Sequence, residues 1–254
     1  MLLLITLLLF VTLILQSQCA EIPCNQQSID KLDDNVLKLT TFGDPNRNLP
    51  NEKDVMAHCQ ADSVMISWGK NYTKTCLINR KEEMSHHVTN LLMFSMKKVM
   101  NKRCRSETSR AVFIKAGKCA NSLKDDTIKC WNKYIIDTQQ VNKAKGTIIK
   151  NDKHLLPLIC CAYHRFHDCS VDAWSKSNGA EPCNSKSVRE LEGYVNDSMY
   201  DIIQYLCGDY QENSDRCDNL INRYKEVFTT VRINKIAKSP LSASNEIFNF
   251  LPPV

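Results

Sequence analysis

The chain has 254 residues, of which 43% are hydrophobic and 24% are charged, and its formal net charge is +5. This composition is close to the globular average and excludes a chain that is disordered throughout. With only 7 glycines and 8 prolines, turns are too scarce for a many-stranded sandwich or barrel, and long helices are favoured.

An apolar run covers residues 2–15 and is interrupted only by Thr6 and Thr12. Its length of about 14 residues is shorter than the stretch of roughly 20 that spans a bilayer, and small or polar residues follow it. This pattern predicts a secretory signal peptide at residues 1–19, with cleavage after Cys19 or Ala20. No second apolar run of spanning length follows, so we expect a secreted, extracellular protein with no transmembrane segment. Export and the modest positive charge also argue against a nucleic acid partner.

Apolar residues recur at helical spacing along most of the remaining chain. The spacing predicts helices over residues 28–39, from Asn51 through Ile66, and over 81–103, 107–116, 122–141, 151–168, 188–206 and 218–228. We therefore expect an all-α fold in which a single disulfide-stapled domain of seven or eight helices occupies residues 20–231. Residues 232–254, with Ser239-Pro240 and a proline-rich end, are expected to form a flexible C-terminal tail.

Turn and cap residues place several helix ends. The turn Phe42-Gly43-Asp44-Pro45 ends the first helix, and Gly117 is expected to cap the C-terminus of the fourth. Ser187 and Glu190 have the spacing of an N-terminal capping box.

The helix predicted over 151–168 differs from the others because it is apolar over a wide arc. A helix of this kind is buried on more than one side, so we expect it at the centre of the bundle. Pro157 must lie in its first turn or kink it.

Twelve cysteines remain once Cys19 is removed with the signal peptide. An even number in an exported chain favours six disulfides, and the absence of any Cys-x-x-Cys pair argues against a metal site. The pairing stays open, although Cys207 could close a small loop with Cys217. Cys160 and Cys161 are expected to point to different sides of their helix and to bind two separate partners. The cysteines predicted to form disulfides are Cys24, Cys59, Cys76, Cys104, Cys119, Cys130, Cys160, Cys161, Cys169, Cys183, Cys207 and Cys217.

Two tripeptides match the acceptor sequence for N-glycosylation. They are Asn71-Tyr72-Thr73 and Asn196-Asp197-Ser198. In a secreted chain both asparagines are candidate glycosylation sites.

The segment around His164 resembles the active-site helix of secreted phospholipases A2. In that family two adjacent cysteines precede the catalytic histidine by three positions, as Cys160 and Cys161 precede His164 here. The family's calcium-binding aspartate is replaced by Arg165, and a cation repels calcium. The glycine-rich calcium loop also has no counterpart upstream. The pattern therefore leaves a lipid-hydrolysing enzyme, or an inactive lipid-binding relative centred on His164, as the alternative to a protein without enzymatic activity.

Histidine pairs occur at His164 and His167, and at His86 and His87. No carboxylate motif of the His-Glu-x-x-His type accompanies either pair, so exposed or hydrogen-bonded histidines are favoured over metal ligands. We expect no metal site, no cofactor and no catalytic residue.

Two further features lie on the helix predicted over 81–103. Its densest basic cluster is Lys97, Lys98, Lys102, Arg103 and Arg105, which suits either a solvated face or contact with anionic lipid, glycan or a protein partner. Its four methionines suit either an adaptable pocket or gap filling in a core; they are Met84, Met93, Met96 and Met100.

The double cysteine followed by Tyr163-His164-Arg165, the turn Phe42-Gly43-Asp44-Pro45 and the late Tyr205-Leu206-Cys207 resemble an arthropod family of secreted haemolymph glycoproteins. This family includes the "27 kDa hemolymph protein". The resemblance covers most of the chain from Cys24 to Phe228, and it implies a helical, disulfide-bonded protein of body fluid. It implies no catalytic residue.

These observations predict a secreted, non-enzymatic protein of body fluid, a binding or carrier module whose partner is undefined. A small hydrophobic ligand between the central helix and the methionine-rich helix is one hypothesis. A venom or saliva component has the same sequence features and stays an alternative.

Overall fold

The computed structural model describes residues 22–40, 42–78, 83–176, 179–210 and 215–248. The predicted signal peptide at 1–19 lies outside these residues. The described chain is all-α and contains no β-strand, only an isolated bridge between Lys145 and Ile149. Its helices are α1 (Gln26–Leu39), α2 (Val55–Tyr72), α3 (Glu83–Cys104), α4 (Glu107–Ser122), α5 (Lys124–Ala144), α6 (Leu155–Ser175), α7 (Ser185–Cys207), α8 (Asp215–Arg223), α9 (Lys225–Thr230) and α10 (Pro240–Phe248).

All eight predicted helices are present, with shifted ends. A π-helical turn, Thr73–Leu77, continues α2, and a 3₁₀ turn, Asp152–His154, precedes α6. The described residues contain more helices than expected because the last predicted helix is divided into α8 and α9, and because α10 follows them. None of the described helices combines the length and the apolar character needed to cross a bilayer.

Helix α6 lies at the centre of the bundle, as its wide apolar arc predicts. Ala162, Phe166 and Trp174 belong to the largest core cluster, whereas Leu158 and Cys161 belong to a second cluster with α8 and α9. Pro157 lies in the first turn of α6, where its missing N–H interrupts no helical hydrogen bond.

The turn after α1 requires a glycine for a steric reason. A Cβ atom on Gly43 would lie 2.1 Å from Nε1 of Trp131. The next residue, Asp44, accepts a hydrogen bond from the backbone N–H of Asn46, which closes the turn. Phe42 packs against Trp174 with ring centroids 5.5 Å apart, so this loop covers one end of the main core.

Two predicted helix ends are wrong. Gly117 does not cap α4, because the helix continues to Ser122. A Cβ atom on Gly117 would lie 3.0 Å from Cβ of Leu49, so the glycine allows the loop that contains Leu49 to approach the helix. Helix α7 begins earlier than the predicted capping box, because the side chain of Asn184 caps it by accepting a hydrogen bond from the N–H of Ser187.

Six disulfides pair the twelve cysteines. Cys160 and Cys161 point to different sides of α6, as predicted. The suggested bridge between Cys207 and Cys217 is wrong, because Cys207 bonds to Cys160 and Cys217 bonds to Cys161. The bridges are Cys24–Cys76, Cys59–Cys104, Cys119–Cys183, Cys130–Cys169, Cys160–Cys207 and Cys161–Cys217.

The described part of the predicted tail is packed rather than loosely attached. Ser239 is fully buried, Ala243 is 2% exposed, and α10 packs against α5. Side chains of α5 donate hydrogen bonds to backbone carbonyls of this segment: Gln139 to Lys235 over 3.1 Å, and Lys143 to Arg232 over 2.9 Å. The prediction of a flexible tail is wrong for these residues, because the bonds that hold them join parts of the chain that are distant in sequence.

Candidate ligand-binding cleft

An apolar cleft lies between α1, α3, α5, α6, α7 and α10. The space between its lining atoms, counted together with the adjoining open solvent, is about 620 Å³. None of the described residues that line it carries a charge. The walls are formed by Val36 and Thr40 of α1 and its C-cap, Val88 and Leu92 of α3, Tyr134 of α5, Leu156, Ile159, Cys160 and Tyr163 of α6, Met199, Ile202, Ile203, Leu206 and Cys207 of α7, and Pro240, Leu241 and Ser244 of α10.

A disulfide forms part of the cleft wall. Cys160 of α6 and Cys207 at the end of α7 are bonded, and both line the cleft. The bridge therefore fixes the distance between the two helices that contribute most of the lining. It also makes this part of the cleft pre-formed, which lowers the entropic cost of binding a ligand there.

Two tyrosines contribute aromatic surface to the same wall. Tyr134 and Tyr163 contact each other with ring centroids 6.0 Å apart, and both pack against Phe166 of the main core. Burial raises the pKa of Tyr134 above its ordinary value, because the phenolate form is poorly solvated there. Its hydroxyl therefore stays protonated, and the wall presents no negative charge.

Helix α10 closes one side of the cleft. Its first residues, Pro240 and Leu241, line the cleft, and the residue before them, Ser239, donates a buried hydrogen bond to Asp33 of α1. A second bond joins the Nδ2 group of Asn142 in α5 to the backbone carbonyl of Ala243. The cleft is therefore assembled from both ends of the described chain.

The cleft lies where the sequence places a possible ligand, between the central helix and the methionine-rich helix, but the methionines of α3 do not line it. Met93 is fully buried, and a Cβ on Gly69 would lie 2.4 Å from its sulfur. Met96 and Met84 are also in core clusters. These methionines fill gaps in the core, and the lining side chains of α3 are Val88 and Leu92.

His164 does not line the cleft. Its Nε2 atom lies 2.9 Å from the backbone carbonyl oxygen of Tyr210, and because a carbonyl can only accept, Nε2 carries the proton. The neighbouring Arg165 pairs with the buried carboxylate of Asp137 at 3.5 Å and lies over the ring of Phe228. In this geometry both residues connect α6 to other parts of the fold.

The other histidines are dispersed. His167 is buried, with Nδ1 3.6 Å from the carboxylate of Asp168, while the rings of His86 and His87 contact each other edge to face. Among the described residues no group of three or more histidine, cysteine, aspartate and glutamate side chains could hold a metal ion.

The two sequons differ in exposure. Asn71 is exposed in the last turn of α2, whereas Asn196 is half-buried within α7. The hydroxyl group of each sequon forms a hydrogen bond within its helix. Thr73 donates to the carbonyl of Gly69 and Ser198 donates to the carbonyl of Val195, both over 2.8 Å.

One residue of the predicted basic cluster belongs to the core. Arg103 is 4% exposed, and its guanidinium lies 4.3 Å from the ring centroid of Tyr194 and 5.0 Å from that of Phe113. Burial lowers the pKa of Arg103 to about 10, which leaves it charged at neutral pH. The other four cations of the cluster are exposed.

Comparison of the chain with known proteins finds no matching family, no similar curated protein and no similar solved structure.

Proposed function

We propose that the protein is a secreted, non-enzymatic carrier that binds a small hydrophobic ligand in the apolar cleft. The cleft itself carries the proposal, because an uncharged, concave surface formed by six helices is the kind of site that apolar ligands occupy.

Export is supported by the predicted signal peptide and by the six disulfides, which persist mainly in oxidising compartments. The resemblance to arthropod haemolymph glycoproteins is part of the same proposal. A carrier in such a fluid meets proteases, and bridges of this kind keep a small helical domain folded there.

The apolar lining of the cleft suits an aliphatic ligand such as an acyl chain. Aliphatic and sulfur-containing side chains such as Ile203, Leu206 and Met199 line it, and the unbranched Met199 adapts most readily to a ligand. Four hydroxyl-bearing side chains line the cleft, those of Thr40, Tyr134, Tyr163 and Ser244, and the hydroxyl of Thr40 already donates to the carbonyl of Leu37.

Binding of a conjugated polyene fatty acid, followed by its fluorescence, tests the proposal. Ile203 is half-buried in the cleft wall, so Ile203→Trp should fill the cleft and weaken binding about tenfold or more. Ile221→Trp is the matched control, because Ile221 is a half-buried isoleucine that packs against the second core cluster and lies outside the cleft.

Native mass spectrometry of the protein secreted by cultured cells adds an independent measurement. We expect a co-purifying apolar molecule on the unmodified protein and on Ile221→Trp, and none on Ile203→Trp. A fatty acid that binds equally to all three proteins, or to none of them, would contradict a carrier function of this cleft.

A further inference from the structure

A second concave surface lies on α3, separate from the cleft. We name it the basic groove. It is open to solvent, and its volume with the adjoining solvent is about 890 Å³. It is lined by Lys70 of α2 and by Phe94, Lys97, Lys98, Asn101, Lys102 and Arg105.

The side chains from α3, together with Arg105 directly after its end, form one continuous stripe. Their positions are separated by three, one, three, one and three residues, the spacing of a single helical face, and all of them are exposed. From Phe94 to Arg105 the stripe is about 16 Å long, at 1.5 Å per residue. The cations therefore follow a line and do not form a round patch.

The positive charge of the groove is largely uncompensated. Lys102 pairs with Asp197 at 2.8 Å, but among the described residues no carboxylate forms an ion pair with Lys70, Lys97, Lys98 or Arg105. Lys70 is half-buried, and its pKa is lowered first by burial and then by the charges of Lys97 and Lys74. An anion in the groove would relieve this repulsion.

We propose that the basic groove binds a linear sulfated polysaccharide. A linear polyanion matches both the concave shape and the alignment of the cations. A membrane surface fits less well, because Phe94 is the one large apolar side chain among the described residues that line the groove, and a flat bilayer does not enter a concavity. Phe94 is 56% exposed and offers an apolar face to a sugar ring.

Heparin oligosaccharides of defined length provide the test, with affinity measured by calorimetry over a range of salt concentrations. The triple variant Lys97→Gln, Lys98→Gln, Arg105→Gln should bind about tenfold or more weakly and show a smaller salt dependence, because fewer counterions are released. The control variant Lys153→Gln, Lys186→Gln, Lys225→Gln removes the same number of charges from exposed lysines elsewhere and should bind as the unmodified protein does.

Several results would overturn the proposal. They are equal weakening in both triple variants, equal binding of desulfated heparin or of polyglutamate, and binding to phosphatidylserine vesicles without binding to heparin. Circular dichroism of each variant confirms the fold, since the substituted side chains are exposed. Fatty acid binding should be the same in both triple variants, so this test is independent of the carrier function.

Discussion

The hydroxyl of Ser239 donates a hydrogen bond to the carboxylate of Asp33, although the two residues are 206 positions apart in the chain. Both are buried, and burial raises the pKa of Asp33 even though the hydrogen bond from Ser239 acts in the opposite direction. The bond attaches the segment before α10 to α1, on two sides of the apolar cleft.

Replacing Ser239 with alanine should therefore affect both stability and ligand binding. The variant leaves a buried carboxylate without this donor, which should lower the free energy of unfolding by about 1 to 3 kcal/mol. Fatty acid binding should weaken as well, because the first residues of α10 form one wall of the cleft. Chemical denaturation and fluorescence titration measure the two effects. Ser63→Ala, on the exposed face of α2, is the control and should change neither the free energy of unfolding nor fatty acid binding. If Ser239→Ala gave the same two values as Ser63→Ala, the hydrogen bond would contribute to neither stability nor binding.

Disulfide removal separates a general effect on stability from a local effect on the cleft. The Cys160–Cys207 and Cys24–Cys76 bridges close loops of similar length, with sequence separations of 47 and 52 residues. Chain entropy therefore predicts that replacing either pair with serine lowers the free energy of unfolding by about 4 kcal/mol. Only the first pair lines the cleft, so only its removal should weaken fatty acid binding. Equal binding by the two double variants would rule out a contribution of the Cys160–Cys207 bridge to the site.

The pH dependence of stability should include a contribution from His58. Burial, assisted by Arg47 and Arg103, lowers the pKa of His58 from 6.5 to about 4, although Asp62 lies 3.6 Å from Nε2 and opposes the shift. Between these pH values the unfolded chain binds a proton that the folded protein does not bind. Stability from this group is therefore present above pH 6.5 and is lost as the pH falls to about 4. Its size is about 3 kcal/mol.

The measurement is the free energy of unfolding from pH 7 to pH 4. His58→Gln should flatten this curve relative to that of the unmodified protein, because glutamine does not bind a proton in this range. Parallel curves for His58→Gln and the unmodified protein would mean that His58 titrates normally in the fold.

The sequons should differ in occupancy. A glycan is bulky and requires solvent around its asparagine, which favours the exposed Asn71 over the half-buried Asn196. Enzymatic deglycosylation of the secreted protein should lower its mass, and Asn71→Gln should abolish this change, whereas Asn196→Gln should not. The reverse result would show that attachment at Asn196 precedes folding of α7 and is tolerated by it.

Much of the fold could be predicted because its signals are local. The stripe that includes Leu191, Val195 and Ile202 requires only helical spacing to identify α7, and the wide apolar arc of α6 indicates that this helix is central. The arrangement of the adjacent cysteines followed from helix geometry in the same way, since neighbouring side chains on a helix point in different directions.

The cleft was predictable only as a region. The hypothesis of a ligand between the central helix and the methionine-rich helix stays a prediction, and the wall formed by α10 depends on the bond from Ser239 to Asp33 and on the bond from Asn142 to the carbonyl of Ala243. The first contact joins side chains 206 positions apart and the second ends on a backbone carbonyl 101 positions away, and neither has a local sequence signature, so neither could be inferred. The prediction that Gly117 caps α4 was wrong for a similar reason, because the residue packed against this glycine, Leu49, is remote from it in sequence.

The adjacent bridges from Cys160 and Cys161 to Cys207 and Cys217 form a closed covalent ring that includes the peptide bond between the first two and the chain from 207 to 217. A protease that cuts between Cys207 and Cys217 opens this ring without releasing a fragment, since both new ends stay attached to α6. The nicked protein would migrate as one species until a reducing agent is added. Cleavage of the chain at any point between these two cysteines therefore leaves one covalently connected molecule.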